Sequence, residues 1–159
     1  MEIRVASLKD IPEIHNLAHQ IWPSAYQDIL SAQQIELMLT EMYSEGSLQS
    51  QFNEGCIFLL VKDDQKAIAF ASYSISDSIS KIHKLYILSE KQGKGIGRLL
   101  TDFIRNDSKA KGAKILQLNV NRKNPAYFFY KKYGFEVFEE VDIPYFGFVL
   151  DDYVMRLTI

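Results

Sequence analysis

The sequence predicts an α/β (α+β) chain built on one mixed, mostly antiparallel sheet of about six or seven strands, with helices on both faces. Three observations carry this. Two amphipathic helical stretches precede residue 50, and three strand-like runs between residues 57 and 88 are joined by connections short enough for hairpins. A strand, a helix and a strand then follow one another between residues 79 and 121, which calls for one crossover and a parallel pair. The predicted order is β-αα-βββ-α-β-α-ββ.

Ile3-Arg4-Val5 is the first strand. Ser7-Leu8-Lys9-Asp10 resembles a capping box with an acidic third position, and Ile11, Ile14, Leu17, Ala18 and Ile21 then recur at helical spacing. Ser31-Ala32-Gln33-Gln34 opens a second helix, whose Ile35, Met38, Leu39, Met42 and Tyr43 share a face. Ile57 to Lys62, Ala67 to Ile75 and Ile79 to Leu88 read as strands, and Asp63-Asp64-Gln65-Lys66 and Ser76-Asp77-Ser78 supply the turns of an antiparallel meander. From Ile96 the period changes to that of a helix through Leu99, Leu100, Phe103 and Ile104, with Gly112 placed to end it. Leu116, Leu118 and Val120 alternate with Gln117, Asn119 and Asn121, the pattern of a strand with two unlike faces. Ala126, Phe129, Tyr130 and Tyr133 form a short helix stopped by Gly134, and strands over Phe135 to Val141 and Tyr153 to Ile159 close the chain.

With 159 residues, 47% of them hydrophobic, and no repeat or linker-like stretch, the expectation is a single domain spanning residues 1–159. The lone Cys56 sits in an apolar run and reads as a buried small residue. His15 and His19 share a helix face without a third Cys or His to complete a metal site, so no metal is expected and the pair reads as solvated. The N-terminus lacks an apolar signal region, and no stretch approaches the ~20 apolar residues of a membrane span, so the expected setting is cytoplasmic with no membrane partner. A net charge of −2 argues against general nucleic-acid binding. The charges are nevertheless segregated: residues 81–132 carry 13 of the 18 Lys and Arg against three acidic residues, and the remainder is strongly acidic. Either this is a solvated basic face, or the basic segment holds an anionic ligand while a cationic substrate approaches the rest.

Gln92-Gly93-Lys94-Gly95-Ile96-Gly97-Arg98 lies between a strand and a helix. Small residues let backbone approach a ligand, and a helix's first turn presents unpaired N–H groups with partial positive charge, so a pyrophosphate fits there. Lys94 and Arg98 add full charges, Arg98 with a fork that can hold two phosphate oxygens. A P-loop is excluded because GxxxxGK followed by Ser or Thr is absent. A dinucleotide turn is excluded by glycines at 93, 95 and 97 and by Ala113 or Lys114 where an acidic residue belongs.

These residues resemble the GNAT superfamily of N-acetyltransferases, whose pyrophosphate motif is Gln or Arg, two residues, Gly, one residue, then Gly or Ala; Gln92, Gly95 and Gly97 match it. The later run from Asn124 through Tyr130 to Phe135 resembles the family's Asn followed by a Tyr-bearing helix. The resemblance implies transfer of the acetyl group of acetyl-CoA, as co-substrate, to an amine. It places coenzyme A on Gln92, Gly93, Lys94, Gly95, Ile96, Gly97 and Arg98, with Leu85, Tyr86 and Ile87 along the thioester arm, where their N–H groups act as oxyanion donors, and with Asn124, Phe129 and Lys132 from the later segment. It assigns Tyr130 as the acid that protonates the departing thiolate. On spacing alone Tyr130 reads equally as core, beside Ala126 and Phe129.

A protonated amine needs a base. Some members carry Glu early in the fourth strand, where this chain has Lys81; His83, on the face of Leu85 in a regular strand, is the next candidate, or else a packed or solvated histidine. The family's acceptor pocket lies between the first two helices and the last hairpin, which here supply Trp22, Tyr26, Tyr43, Tyr145, Phe146, Asp142, Asp151 and Asp152. Aromatic walls with carboxylates suit an organic cation such as a polyamine, and equally an ordinary core. A peptide or other small-molecule amine stays open, as does an acyl-CoA sensor of the same fold without turnover. Exposed edges of the last strands are compatible with a homodimer, and the sequence does not give the oligomeric state.

Overall fold

The computed structural model describes residues 1–159. Strand β1 (Glu2–Val5) leads through a 3-10 turn into helices α1 (Ile11–Tyr26), α2 (Ala32–Tyr43) and α3 (Glu45–Asn53). The meander β2 (Ile57–Asp63), β3 (Lys66–Ser76) and β4 (Ile79–Ile87) follows, then α4 (Ile96–Ala110), β5 (Ile115–Asn121), α5 (Ala126–Tyr133) and the hairpin β6 (Glu136–Tyr145) and β7 (Phe148–Thr158). The seven strands make one sheet in the order β1-β2-β3-β4-β5-β7-β6, antiparallel except for the β4–β5 pair. Both start signals act: the Asp10 carboxylate accepts the Ser7 N–H at 2.8 Å, and Ser31 Oγ accepts the Gln34 N–H at 3.1 Å. No helix is long and apolar enough to cross a membrane.

Two differences from the predicted order have physical causes. Helix α3 was not anticipated, because it buries only Leu48 fully and half-buries Phe52, too few contacts to write a helical period. Strands β6 and β7 run toward each other well past the predicted ends and meet in a two-residue turn at Phe146 (φ 46°) and Gly147 (φ 84°). Most of β6 lies exposed at the sheet edge, so it carries no apolar alternation to read.

The sheet's two faces bear different helices. On one, Ser80 and Tyr73 reach α4 through hydrogen bonds to Ser108 (2.7 Å) and Asp107 (2.5 Å). On the other, Tyr86 meets Tyr26 of α1, and the Lys84 ammonium donates to Gln51 of α3 at 2.7 Å. A bulge decides which β4 residues go where. Ser72 pairs with Lys84 but Tyr73 pairs with Ile82, leaving His83 as the extra residue. Side chains alternate along a strand, so one inserted residue reverses every assignment beyond it. Ile82 therefore follows Tyr73 toward α4, whereas Lys84 and Tyr86 point at α1–α3.

Candidate active site

Strands β4 and β5 pair only over Ile79–Ile82 and Ile115–Leu118. Beyond that they diverge, and the β4 edge from Leu85 to Ile87 faces no strand. Two cavities open at this split. One, of about 560 Å³, is bounded by Leu85–Ile87, the turn from Gln92 to Arg98, and Asn124, Phe129 and Tyr130. The other, of about 330 Å³, lies among α1, α2, β4, β5 and β7 and is walled by Trp22, Tyr26, Tyr43, Tyr86, Lys84 and Asp152 among others. They share Leu85, Tyr86, Asn124, Ala126 and Tyr130.

The first cavity has the chemistry of an anion cradle. Gly95 is the N-cap of α4 at φ 82°, a left-handed conformation that glycine adopts without steric cost, and no side chain caps the helix. The N–H groups of its first turn have no partner within the helix and face the ligand side. A Cβ built on Gly93 or Gly95 would meet nothing within 4 Å, so the space over the turn is open. Gly97 serves another purpose: a Cβ there would stand 3.2 Å from Phe129 Cζ and 3.5 Å from Ile87 Cδ1, so its absence lets α5 close on α4. Arg98 lines the cavity with a largely exposed side chain and only a 4.0 Å approach to Asp102.

Tyr130 is buried at the junction, edge-on to Phe129 and Phe135. Burial first, and then the nearby Tyr26 oxygen, push its phenol above the ordinary range, and no hydrogen bond holds its hydroxyl. Asn124 Oδ1 accepts the Ala126 N–H at 2.9 Å and so anchors the start of α5, while its Nδ2 lies 3.5 Å from Tyr26 Oη.

The second cavity has an aromatic wall. Trp22 stands 4.4 Å from Tyr26, 5.4 Å from Tyr43 and 5.5 Å from Tyr86, ring centre to ring centre, and the Tyr26 and Tyr86 hydroxyls are 2.8 Å apart. The Trp22 indole N–H is buried, with the Tyr43 hydroxyl as its polar neighbour. Burial lowers the Lys84 ammonium to about 8, and its Nζ lies 5.3 Å from the Tyr43 ring centre. Burial raises the carboxyl of Asp152.

Most of the predicted cradle residues meet at the first cavity: Leu85, Tyr86, Ile87, Gln92, Gly93, Gly95, Ile96, Gly97, Arg98, Asn124 and Phe129 line it. Lys94 and Lys132 are exposed and line neither cavity, because the loop and helix α5 turn those side chains to solvent. Of the predicted acceptor residues, Trp22, Tyr26, Tyr43 and Asp152 line the second cavity. Tyr145, Phe146, Asp142 and Asp151 do not: Asp142 is held by Arg122, Asp151 by Asn121, and Phe146 is exposed in the hairpin turn.

His83 lines the second cavity, but not in a regular strand and not on the face of Leu85. Its Nε2 is 2.7 Å from Ser74 Oγ, and lost hydration followed by the Lys84 and Lys81 cations lowers it to about 4. Cys56 is half-buried rather than buried, and His15 is not simply wet, since its Nδ1 lies 2.7 Å from the Tyr43 carbonyl. The charge division by sequence also fails locally, because Lys81 and Lys84 line the second cavity. Residues three apart point opposite ways in a regular strand, and only the bulge at His83 brings these two lysines together. Nothing in the sequence marks that bulge.

A split parallel pair, a glycine turn at a helix start and a buried tyrosine thus lie together between two cavities. The family described as acetyltransferase (GNAT) domain matches residues 26–145. A spermidine N(1)-acetyltransferase of Thermoplasma acidophilum is 32% identical over 148 residues, 89% of this chain and 91% of that protein. The alanine N-acetyltransferase of ribosomal protein bS18 from Haemophilus influenzae is 33% identical over 101 residues, 64% of this chain and 67% of that one. The crystal structure of the PaiA N-acetyltransferase of Thermoplasma acidophilum in complex with coenzyme A superposes with a TM-score of 0.85 at 29% identity, covering 100% of both chains. The chain belongs to the GNAT acetyltransferase family. It is an N-acetyltransferase with acetyl-CoA as its co-substrate.

Proposed function

We propose that this enzyme acetylates a primary amine of a small molecule, with coenzyme A in the larger cavity and the amine in the smaller. One observation carries the reading: the two cavities share the walls Leu85, Tyr86, Asn124, Ala126 and Tyr130 where β4 leaves β5. A spermidine N(1)-acetyltransferase among the relatives supports a small-molecule acceptor.

Acetyl-CoA supplies an activated carbonyl and a thiolate leaving group. The cradle from Gly93 to Arg98, Lys94 apart, presents N–H groups and the Arg98 guanidinium to the pyrophosphate. The β4 edge from Leu85 to Ile87 positions backbone donors for the carbonyl oxygen. Tyr130 keeps its proton at neutral pH, as its raised phenol requires, and its free hydroxyl can deliver that proton to the departing sulfur. For the amine's proton, Asp152 stands beside His83 as a candidate: it is a half-buried carboxylate on the same cavity wall whose pKa burial raises, whereas His83 is lowered by burial and engaged by Ser74. The aromatic wall excludes water from the attacking nitrogen.

Thiol release from acetyl-CoA across a panel of primary amines, with the product identified by mass, tests this reading. Amine-dependent release with one acetyl group added is the expected result. Coenzyme A binding without release for any amine would leave the sensor reading instead.

A further inference from the structure

The acceptor cavity has a charge pattern that a polyamine does not match. Two formal cations line it, Lys81 and Lys84, and neither forms an ion pair; Asp152 is the one carboxylate on its wall. The Lys84 ammonium gives one hydrogen bond, to Gln51, and keeps two donors uncommitted. An ammonium with donors to spare and no acidic neighbour, on the wall of an aromatic cavity, suits an acceptor-rich group.

Asp152 pairs across the sheet with Asn121 on β5 and has Arg122 and Lys81 among its charged neighbours, whereas Lys84 has no acidic one. A diamine or triamine would bring a second ammonium to a wall where Lys84 is uncompensated. An amine with a carboxylate at its other end would compensate it.

We propose that the acceptor carries a carboxylate besides its reactive amine, received by Lys84 while Asp152 faces the amine. This rests on the transferase reading above and names the substrate class for the same site. Lys84 is a specificity residue here, and the bulge at His83 is what aims it into the cavity together with Lys81.

The test uses acetyl-CoA with pairs of equal chain length, 4-aminobutanoate against 1,4-diaminobutane and 6-aminohexanoate against 1,6-diaminohexane, with n-butylamine as an amine lacking a second charge. The amino acid of each pair is expected to show a kcat/KM about tenfold or more above its diamine. Lys84→Met, which keeps the length and removes the charge, is expected to shrink that ratio about tenfold, through KM. Coenzyme A affinity and n-butylamine turnover in the unaltered enzyme report on the transferase reading separately; loss of both overturns that reading and this one together. If they hold, a preference for the diamines, or equal losses for both members of each pair in Lys84→Met, overturns the carboxylate proposal. Should the variant fail to fold, the wild-type preference decides alone.

Discussion

The two cavities that meet at Tyr130 are built from different materials. The larger rests on one continuous turn, Gln92 to Arg98, and uses mostly backbone: helix-start N–H groups, glycines at positive φ and the unpaired edge of β4. The smaller is made of side chains from α1, α2, β4, β5 and β7, with aromatic rings and three charged groups. A backbone site tolerates changes in its side chains but not in its glycines, and holds a ligand part that never varies. A side-chain site can be retuned residue by residue, and under the proposed function it carries the choice of acceptor.

The largest effect is expected where the two cavities join. Tyr130→Phe keeps the ring between Phe129 and Phe135 and removes a hydroxyl that nothing bonds, so stability should barely change while kcat falls roughly 10²-fold with acetyl-CoA affinity kept. Turnover and the unfolding midpoint measured on one preparation check this, and full activity would remove Tyr130 from the chemistry. Next in size is Gly95→Asp, which combines φ strain with a negative charge at the cradle and should weaken coenzyme A binding about tenfold or more by calorimetry. If the cavities are as distinct as their construction, the KM of the amine should stay near its original value. An equal change in both would break the comparison.

Smaller effects separate the two candidate bases. Asp152→Asn should lower kcat/KM for the amine about tenfold at neutral pH. The burial-raised carboxyl binds its proton more tightly in the folded state, so its favourable contribution is present at acid pH and is lost as pH rises through the raised value. The variant should accordingly gain stability at neutral pH and gain little at acid pH, which melting at the two pH values would read. His83→Ala should have the least effect, with parallel pH–rate profiles, because the ring is already neutral above about pH 4. A loss at neutral pH that recovers in alkali would return the base role to His83.

How much of this was legible follows from where the information lies along the chain. The period of α1 and α4, the turn at Asp64 and Gln65 with both φ values positive, and the alternation of β5 are local patterns, and each was read correctly from neighbouring residues. The glycine turn was legible for the same reason, since Gly93 and Gly95 act on the backbone of their own loop, whereas Gly97 makes room for Phe129 of α5, a tertiary contact. Lys94 and Lys132 were misread because charge in a sequence says nothing about the direction of a side chain. Asp142 and Asp151 were misread because Arg122 and Asn121 take them up from another part of the chain.

The sequence by itself determined the order of elements apart from α3, the parallel pair and the glycine turn at the start of α4, because helix period, strand alternation and glycine conformations act over a few residues. Only the tertiary structure decided what the acceptor cavity contains. One extra residue at His83 reverses the facing of β4 beyond it, turning Lys84 and Tyr86 toward α1–α3 and placing Lys84 in one cavity with Lys81. Asp152 arrives from a strand about 70 residues later through its pairing beside β5. Charge, burial and aromatic rings come together there through packing between distant segments, and no local pattern records that packing.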